Sequence, residues 1–125
     1  MNPKVIMAVR ILFGLAILFF GANKLFYFMD PPEPPTKTAA SFLRMLTISK
    51  TMMLVAIVEI AAGISLLANK YAPLMMIVLM SISINALLYH LKLDPKNIVI
   101  GIVFLAMNGL MIFIYRDHYK ELLRS

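Results

Sequence analysis

Residues 51–68 read TMMLVAIVEIAAGISLLA, an unbroken apolar run whose single ionisable side chain, Glu59, stands near its middle. As a helix rising about 1.5 Å per residue, such a run crosses most of the roughly 30 Å hydrocarbon core of a bilayer. Working outward, comparable runs occupy residues 5–28, 73–91 and 98–115, separated by short polar, proline-bearing turns. The chain has 125 residues, 62% of them hydrophobic and 14% charged, with a mean hydropathy of +0.87. A water-soluble domain of that length has no core large enough to hide so much apolar surface. The expectation is an all-α, polytopic membrane four-helix bundle, one domain over residues 1–125, with both ends on the same side of the membrane.

Net charge is +6, but Lys and Arg are scattered singly around the apolar runs, as anchors for helix ends and not as a nucleic-acid patch. The absence of cysteine removes thiol–disulfide chemistry and thiolate ligands from this chain. Residues 1–10 followed by an apolar run resemble a secretory signal, but the run reaches Phe28 and lacks a small-x-small cleavage site, so it reads as a retained first span.

Within that span Arg10, Gly14, Ile17, Gly21, Lys24 and Phe28 fall on one stripe at about 100° per residue. Two glycines and two cations on one stripe mark a face that meets protein, because lipid offers nothing to either. The run Asp30-Pro31-Pro32-Glu33-Pro34-Pro35 is a stiff exit from the membrane. Thr36 or Thr38 then caps a short helix to about Ile48, with Ala39, Phe42, Leu43 and Leu46 on one side and Arg44 and Thr47 elsewhere. Too short to span, it is expected to lie amphipathically at the interface. Asn69 to Pro73 and Leu93 to Asn97 are turns, the second around the Asp94-Pro95 pair. Lys4, Arg10, Lys70, Arg116, Lys120 and Arg124 balance Lys24, Lys37, Arg44, Lys50, Lys92 and Lys96, so positive charge does not choose an orientation.

Glu59 is the first candidate functional residue, since a carboxyl deep in hydrocarbon must be protonated, paired or wetted. Alternating span directions bring Lys24, Glu59 and Asn85 to the same half of the bilayer, where a Lys24–Glu59 pair bridged by Asn85 would satisfy all three. Such a cluster fixes helix register or holds a ligand, the two readings being evenly matched. His90 and His118 fall on opposite sides, which excludes a haem held by both within one chain, and one histidine with distant carboxylates is weak evidence of a metal. His90 is read as an interfacial hydrogen-bonding residue. The eleven methionines scatter as packing material. Tyr27, Tyr71, Tyr89, Tyr115 and Tyr119 stand at span ends, where amphipathic rings are expected. Phosphate-binding glycine loops, hydrolase carboxylate pairs and nucleophile–base pairs are lacking.

Four motifs in register carry a family resemblance: Arg10 to Gly14 with Phe20 to Lys24; Val58-Glu59 to Gly63; Asn85 through His90 to Asp94-Pro95; and Tyr115-Arg116-Asp117. The chain resembles DoxX-like membrane proteins along all four spans. It departs from their pattern before the second span, where Ser49-Lys50 and Met53 replace the usual Gly-aromatic pair and proline. The resemblance implies a four-helix bundle in a bacterial inner membrane. Its members are tied to thiosulfate:quinone oxidoreductase subunits, to membrane complexes handling thiol and oxidative stress and, in distant animal relatives, to receptor assembly.

With no nucleophile, metal set or redox group of its own, the chain is expected to be an accessory or assembly subunit and not an enzyme in isolation. Its polar cluster of Lys24, Glu59 and Asn85, with Arg10 and His90 as further candidates, would hold a lipid or quinone headgroup. Expected partners are the bilayer and a membrane protein or second copy of the chain, without nucleic acid, haem or metal. The first rival is a membrane subunit of a sulfur- or thiol-linked quinone oxidoreductase, with Arg10 or Lys24 holding an anion and Glu59 exchanging protons. The second is a small proton-coupled transporter, although its carboxylate would then stand in the second span.

Overall fold

The computed structural model describes residues 2–26, 28 and 33–120. In chain order the helices are α1 (Pro3–Phe26), α2 (Lys37–Ile48), α3 (Thr51–Ala68), α4 (Ala72–Leu93) and α5 (Ile98–Ile114), with no strand among the described residues. Single 3₁₀ turns, Pro95–Asn97 and Arg116–Tyr119, flank α5. Segments α1, α3, α4 and α5, the last with its leading turn, are long and apolar enough to cross a membrane. The second span coincides with its expected bounds. The first begins at Pro3, earlier than expected, because proline suits the first helical position, where its missing N–H would have no partner. Tyr27, residues 30–32 of the proline run and the tail from residue 121, with Arg124, lie outside the described residues.

Thr36 caps α2, its hydroxyl accepting from the Ala39 N–H at 3.1 Å. The expected amphipathic division holds in part: Ala39 is buried, Leu43 and Leu46 are half-buried, and Arg44 and Thr47 are exposed, but Phe42 of the apolar side is also 43% exposed. At the opposite end Asn69 closes α3 in the left-handed conformation, and Tyr71 opens α4 in the same region.

The packing of α1 on α3 follows from their glycines. A Cβ at Gly63 would stand 2.8 Å from the Gly14 carbonyl and 2.9 Å from Leu18, and one at Gly21 would stand 2.9 Å from the Ala56 carbonyl and 3.0 Å from the Glu59 Cβ. The two backbones therefore touch, which only hydrogen side chains permit. A different device joins α4 to α5. The buried Ser83 hydroxyl donates to Asn108 Oδ1 at 2.6 Å, and the Asn108 amide donates to the Met76 carbonyl at 3.0 Å. Phe13 and Phe104 meet edge to face at 5.8 Å and bridge α1 to α5.

The solid core occupies one half of the bundle. Phe13, Ile17, Ala62, Leu66, Met76, Leu79, Met111, Tyr115 and Tyr119 all cluster toward the α3–α4 turn. There the Tyr119 hydroxyl donates to the Pro73 carbonyl at 2.6 Å, tying the segment after α5 to the start of α4. Two tyrosines expected as interfacial belt residues, Tyr115 and Tyr119, are thus core residues, because the chain folds back over the end of the bundle. Tyr71, by contrast, is 77% exposed.

Candidate functional site

The glycine seam delivers the site. With Gly21 holding α1 against Ala56 and Glu59, Lys24 lies one turn further along α1, and its Nζ reaches Glu59 Oε1 at 2.6 Å. Glu59 is 2% exposed, while Lys24 keeps 31% of its side chain accessible. The carboxylate is thus enclosed, and the ammonium stem reaches from the membrane end of α1 down to it. The pair was legible from helix direction and depth.

Beside this pair lies a cavity of about 500 Å³ to which every helix contributes. Phe20 and Lys24 come from α1, Phe42, Leu43 and Leu46 from α2, and Thr51, Met52, Val55 and Glu59 from α3. Across from them, α4 supplies Ser81, Ile82, Asn85, Ala86, Tyr89 and His90, and α5 supplies Ile100, Gly101 and Phe104. The lining is mainly apolar, with a few polar groups, the usual makeup of a small-molecule site of this size. Phe42 and Tyr89 stack at 5.7 Å with 21° between their planes, so an aromatic surface from α2 and α4 flanks the polar groups.

The cavity residues of α1 to α4 also sit within a family match: the DoxX family model covers residues 5–91, more than two thirds of the chain. The chain belongs to the DoxX family. Comparison with curated proteins and with solved structures gave no match. Four spans and family membership together make this DoxX protein a multi-pass membrane protein. The matched stretch holds Lys24, Glu59, Asn85 and His90 and ends within α4, so the α5 wall of the DoxX cavity lies beyond it.

Not every expected site residue joins the DoxX cluster. Asn85 lines the cavity but does not bridge the ion pair; its amide donates to the Ser81 carbonyl one turn back at 2.7 Å. An amide on an apolar wall finds its nearest acceptor on its own helix. Arg10 stands 14 residues before Lys24 on α1, roughly 21 Å along the axis, and belongs to the other end. Its guanidinium donates to the Leu66 carbonyl and, at 3.5 Å, to the Leu67 carbonyl. It therefore caps the unsatisfied carbonyls of α3, where a cation also favours the helix dipole.

His90 lies on the cavity wall with Nδ1 3.7 Å from Asp94 Oδ2, beyond a direct hydrogen bond, and its ring packs edge-on to Tyr89 and against Gly101. Asp94 is buried and accepts from the Asn97 amide at 2.9 Å. Sequence reasoning missed Tyr89, Phe42 and Ser81 as cavity residues. The i, i+4 spacing of Ser81, Asn85 and Tyr89 carried a signal for two of them, whereas the stack with Phe42 depends on the position of α2. The described residues contain no group of three or more His, Cys, Asp or Glu that could hold a metal ion.

Proposed function

We propose that this DoxX protein is an accessory subunit of a membrane complex and holds the polar head of a membrane-soluble molecule, a lipid or a quinone, in the cavity beneath α2. One observation carries this reading: a Lys24–Glu59 pair with a buried carboxylate opens onto a largely apolar cavity of about 500 Å³ inside a membrane bundle. A pair that served only to fix register would be enclosed by packing on all sides, and here a hollow adjoins it. A ligand head would meet an ammonium, a carboxylate and the Asn85 and His90 side chains, while its apolar part lay against Phe20, Ile82 and Phe104.

A quinone fits this lining, since its ring matches the Phe42 and Tyr89 surface and its carbonyl oxygens require donors such as Lys24 and Asn85. When bound, a quinone supplies two-electron, two-proton redox chemistry. The chain's own contribution is to bind and orient the head, with Glu59 placed to hold or release a proton at its carboxylate. Purification in native lipid, followed by mass spectrometry of bound molecules and proteins in wild type and Glu59→Gln, tests the proposal. A quinone, headgroup lipid or partner protein present in wild type and lost in the variant is the expected outcome. Identical bound species in both would reduce the pair to a structural role.

A further inference from the structure

The main cavity has a neighbour. A smaller hollow of about 190 Å³ is lined by Lys24, Leu25, Thr47, Lys50, Met52 and Met53, and it shares Lys24 and Met52 with the larger one. At about 30 Å³ per water molecule it has room for roughly six waters or for one small headgroup. We infer that the paired hollows hold an amphiphile with a single negative charge, its oxyanion head between Lys24 and Lys50 and its apolar chain in the main cavity. The inference rests on the main cavity being a ligand site.

Charge supports a monoanion. Lys24 is balanced by Glu59 at 2.6 Å, whereas Lys50 makes no ion pair among the described residues, so one positive charge faces the hollow without a partner. Met52 and Met53 belong to the first turn of α3, whose free N–H groups add positive potential at the same place.

The backbone gives a second line of support. Lys50 has φ 66°, in the left-handed region that suits glycine and strains a residue with a Cβ. No side-chain hydrogen bond from Lys50 caps α3. The left-handed turn ends α2, the Lys50 N–H donating to the Thr47 carbonyl at 3.2 Å, a place that glycine fills without strain and where lysine instead sets an ammonium beside the hollow. Carboxylate and phosphate heads share the required chemistry, which admits a fatty acid or an acidic phospholipid.

The test is native mass spectrometry of the full chain in neutral detergent, titrated with oleate, 1-oleoyl lysophosphatidylglycerol (a phosphodiester monoanion), oleyl alcohol and inorganic phosphate. The two charged amphiphiles should bind at least about tenfold more tightly than the alcohol or phosphate alone, as loss of one charge-assisted contact predicts. Whichever of the two binds more tightly identifies the head. Lys50→Gln should weaken both by a similar factor with its melting temperature unchanged. Lys50→Gly should lose binding yet melt at a higher temperature, a combination that a purely structural lysine would not give. Oleyl alcohol binding as tightly as oleate, phosphate alone matching the amphiphiles, or Lys50→Gln binding like wild type would each overturn the inference. The first leaves the main cavity standing as a ligand site for neutral molecules, whereas no acyl binding at all overturns the inference and leaves a quinone as the guest of the main cavity.

Discussion

The two halves of this bundle are built differently. Toward the α3–α4 turn, aliphatic and aromatic side chains from four helices fill the interior, and Arg10 and Tyr119 tie the ends together. Beneath α2 the interior is hollow, and its polar groups are an ion pair with a buried carboxylate, an imidazole, an amide and the hydroxyls of Thr51, Ser81 and Tyr89. Protein interiors contain few voids larger than a water molecule, so a large one beside a solid core indicates a division of labour. One half supplies stability and register, and the other holds the hollow in which the proposed guest would sit.

The most direct way to break this division is Lys24→Met, which leaves the Glu59 carboxylate without its partner. Removing one member of a fully buried pair costs about 3–5 kcal/mol, and the partial exposure of Lys24 places this pair at or below the lower figure. Unfolding in mixed micelles should show that loss, and Lys24→Met with Glu59→Leu should recover most of it while abolishing ligand binding. A loss below about 1 kcal/mol in the single variant would mean that the pair does not hold the hollow half together.

Gly63→Ala acts at the junction of the halves. Its new Cβ would fall 2.8 Å from the Gly14 carbonyl, so the helices must separate, at about 1–3 kcal/mol for overpacking. The same separation would draw Lys24 away from Glu59, and both stability and ligand retention should fall. If only stability fell, the seam and the site would be independent.

Tyr119→Phe touches the solid half alone. Loss of its hydrogen bond to Pro73 should cost about 1 kcal/mol without changing ligand retention. Burial, aided by nearby Tyr115, pushes the Tyr119 hydroxyl up to about 12 from its ordinary value near 10. The native state therefore holds this proton more tightly than the unfolded chain. The stabilisation is complete below about pH 10 and is lost as pH rises toward about 12. A melting series across that window should be steeper for wild type than for Tyr119→Phe. The smallest effect belongs to Gly109→Ala, whose Cβ meets nothing within 4 Å; its stability should stay within about 0.5 kcal/mol of wild type.

The architecture and its ion pair could be read from the chain because both follow from periodicity. Apolar runs set the spans, and the stripe from Arg10 to Lys24 marked the buried face of α1. Alternating directions put Lys24 and Glu59 at one depth, and the 2.6 Å pair follows. The direction in which a side chain turns was not legible. Asn85 bonds within its own helix, and Arg10 reaches the far end of α3; each choice depends on which acceptor lies nearest in three dimensions. The bond between Ser83 and Asn108 was equally hidden, since nothing in either helix names the other as partner. Nor was the cavity legible, because it arises where helices fail to fill space and where α2 lies across the end.

The placement of the partners of α1 has a consequence for how the protein is made. Synthesis runs from α1 toward α5, and α1 emerges carrying Arg10 and Lys24. The acceptors of Arg10 lie 56 and 57 residues downstream, and Glu59 follows Lys24 by 35. Insertion scales charge about 2.5–3.5 kcal/mol for a lone cation at the centre of a span, and less near its ends. Until α3 arrives, the two cations of α1 have no partner within the bundle and must reach the membrane surfaces along their own stems. Pairing with α3 would therefore relieve the cost of both cations at once, which makes α1 with α3 the first stable helical pair that this contact pattern predicts.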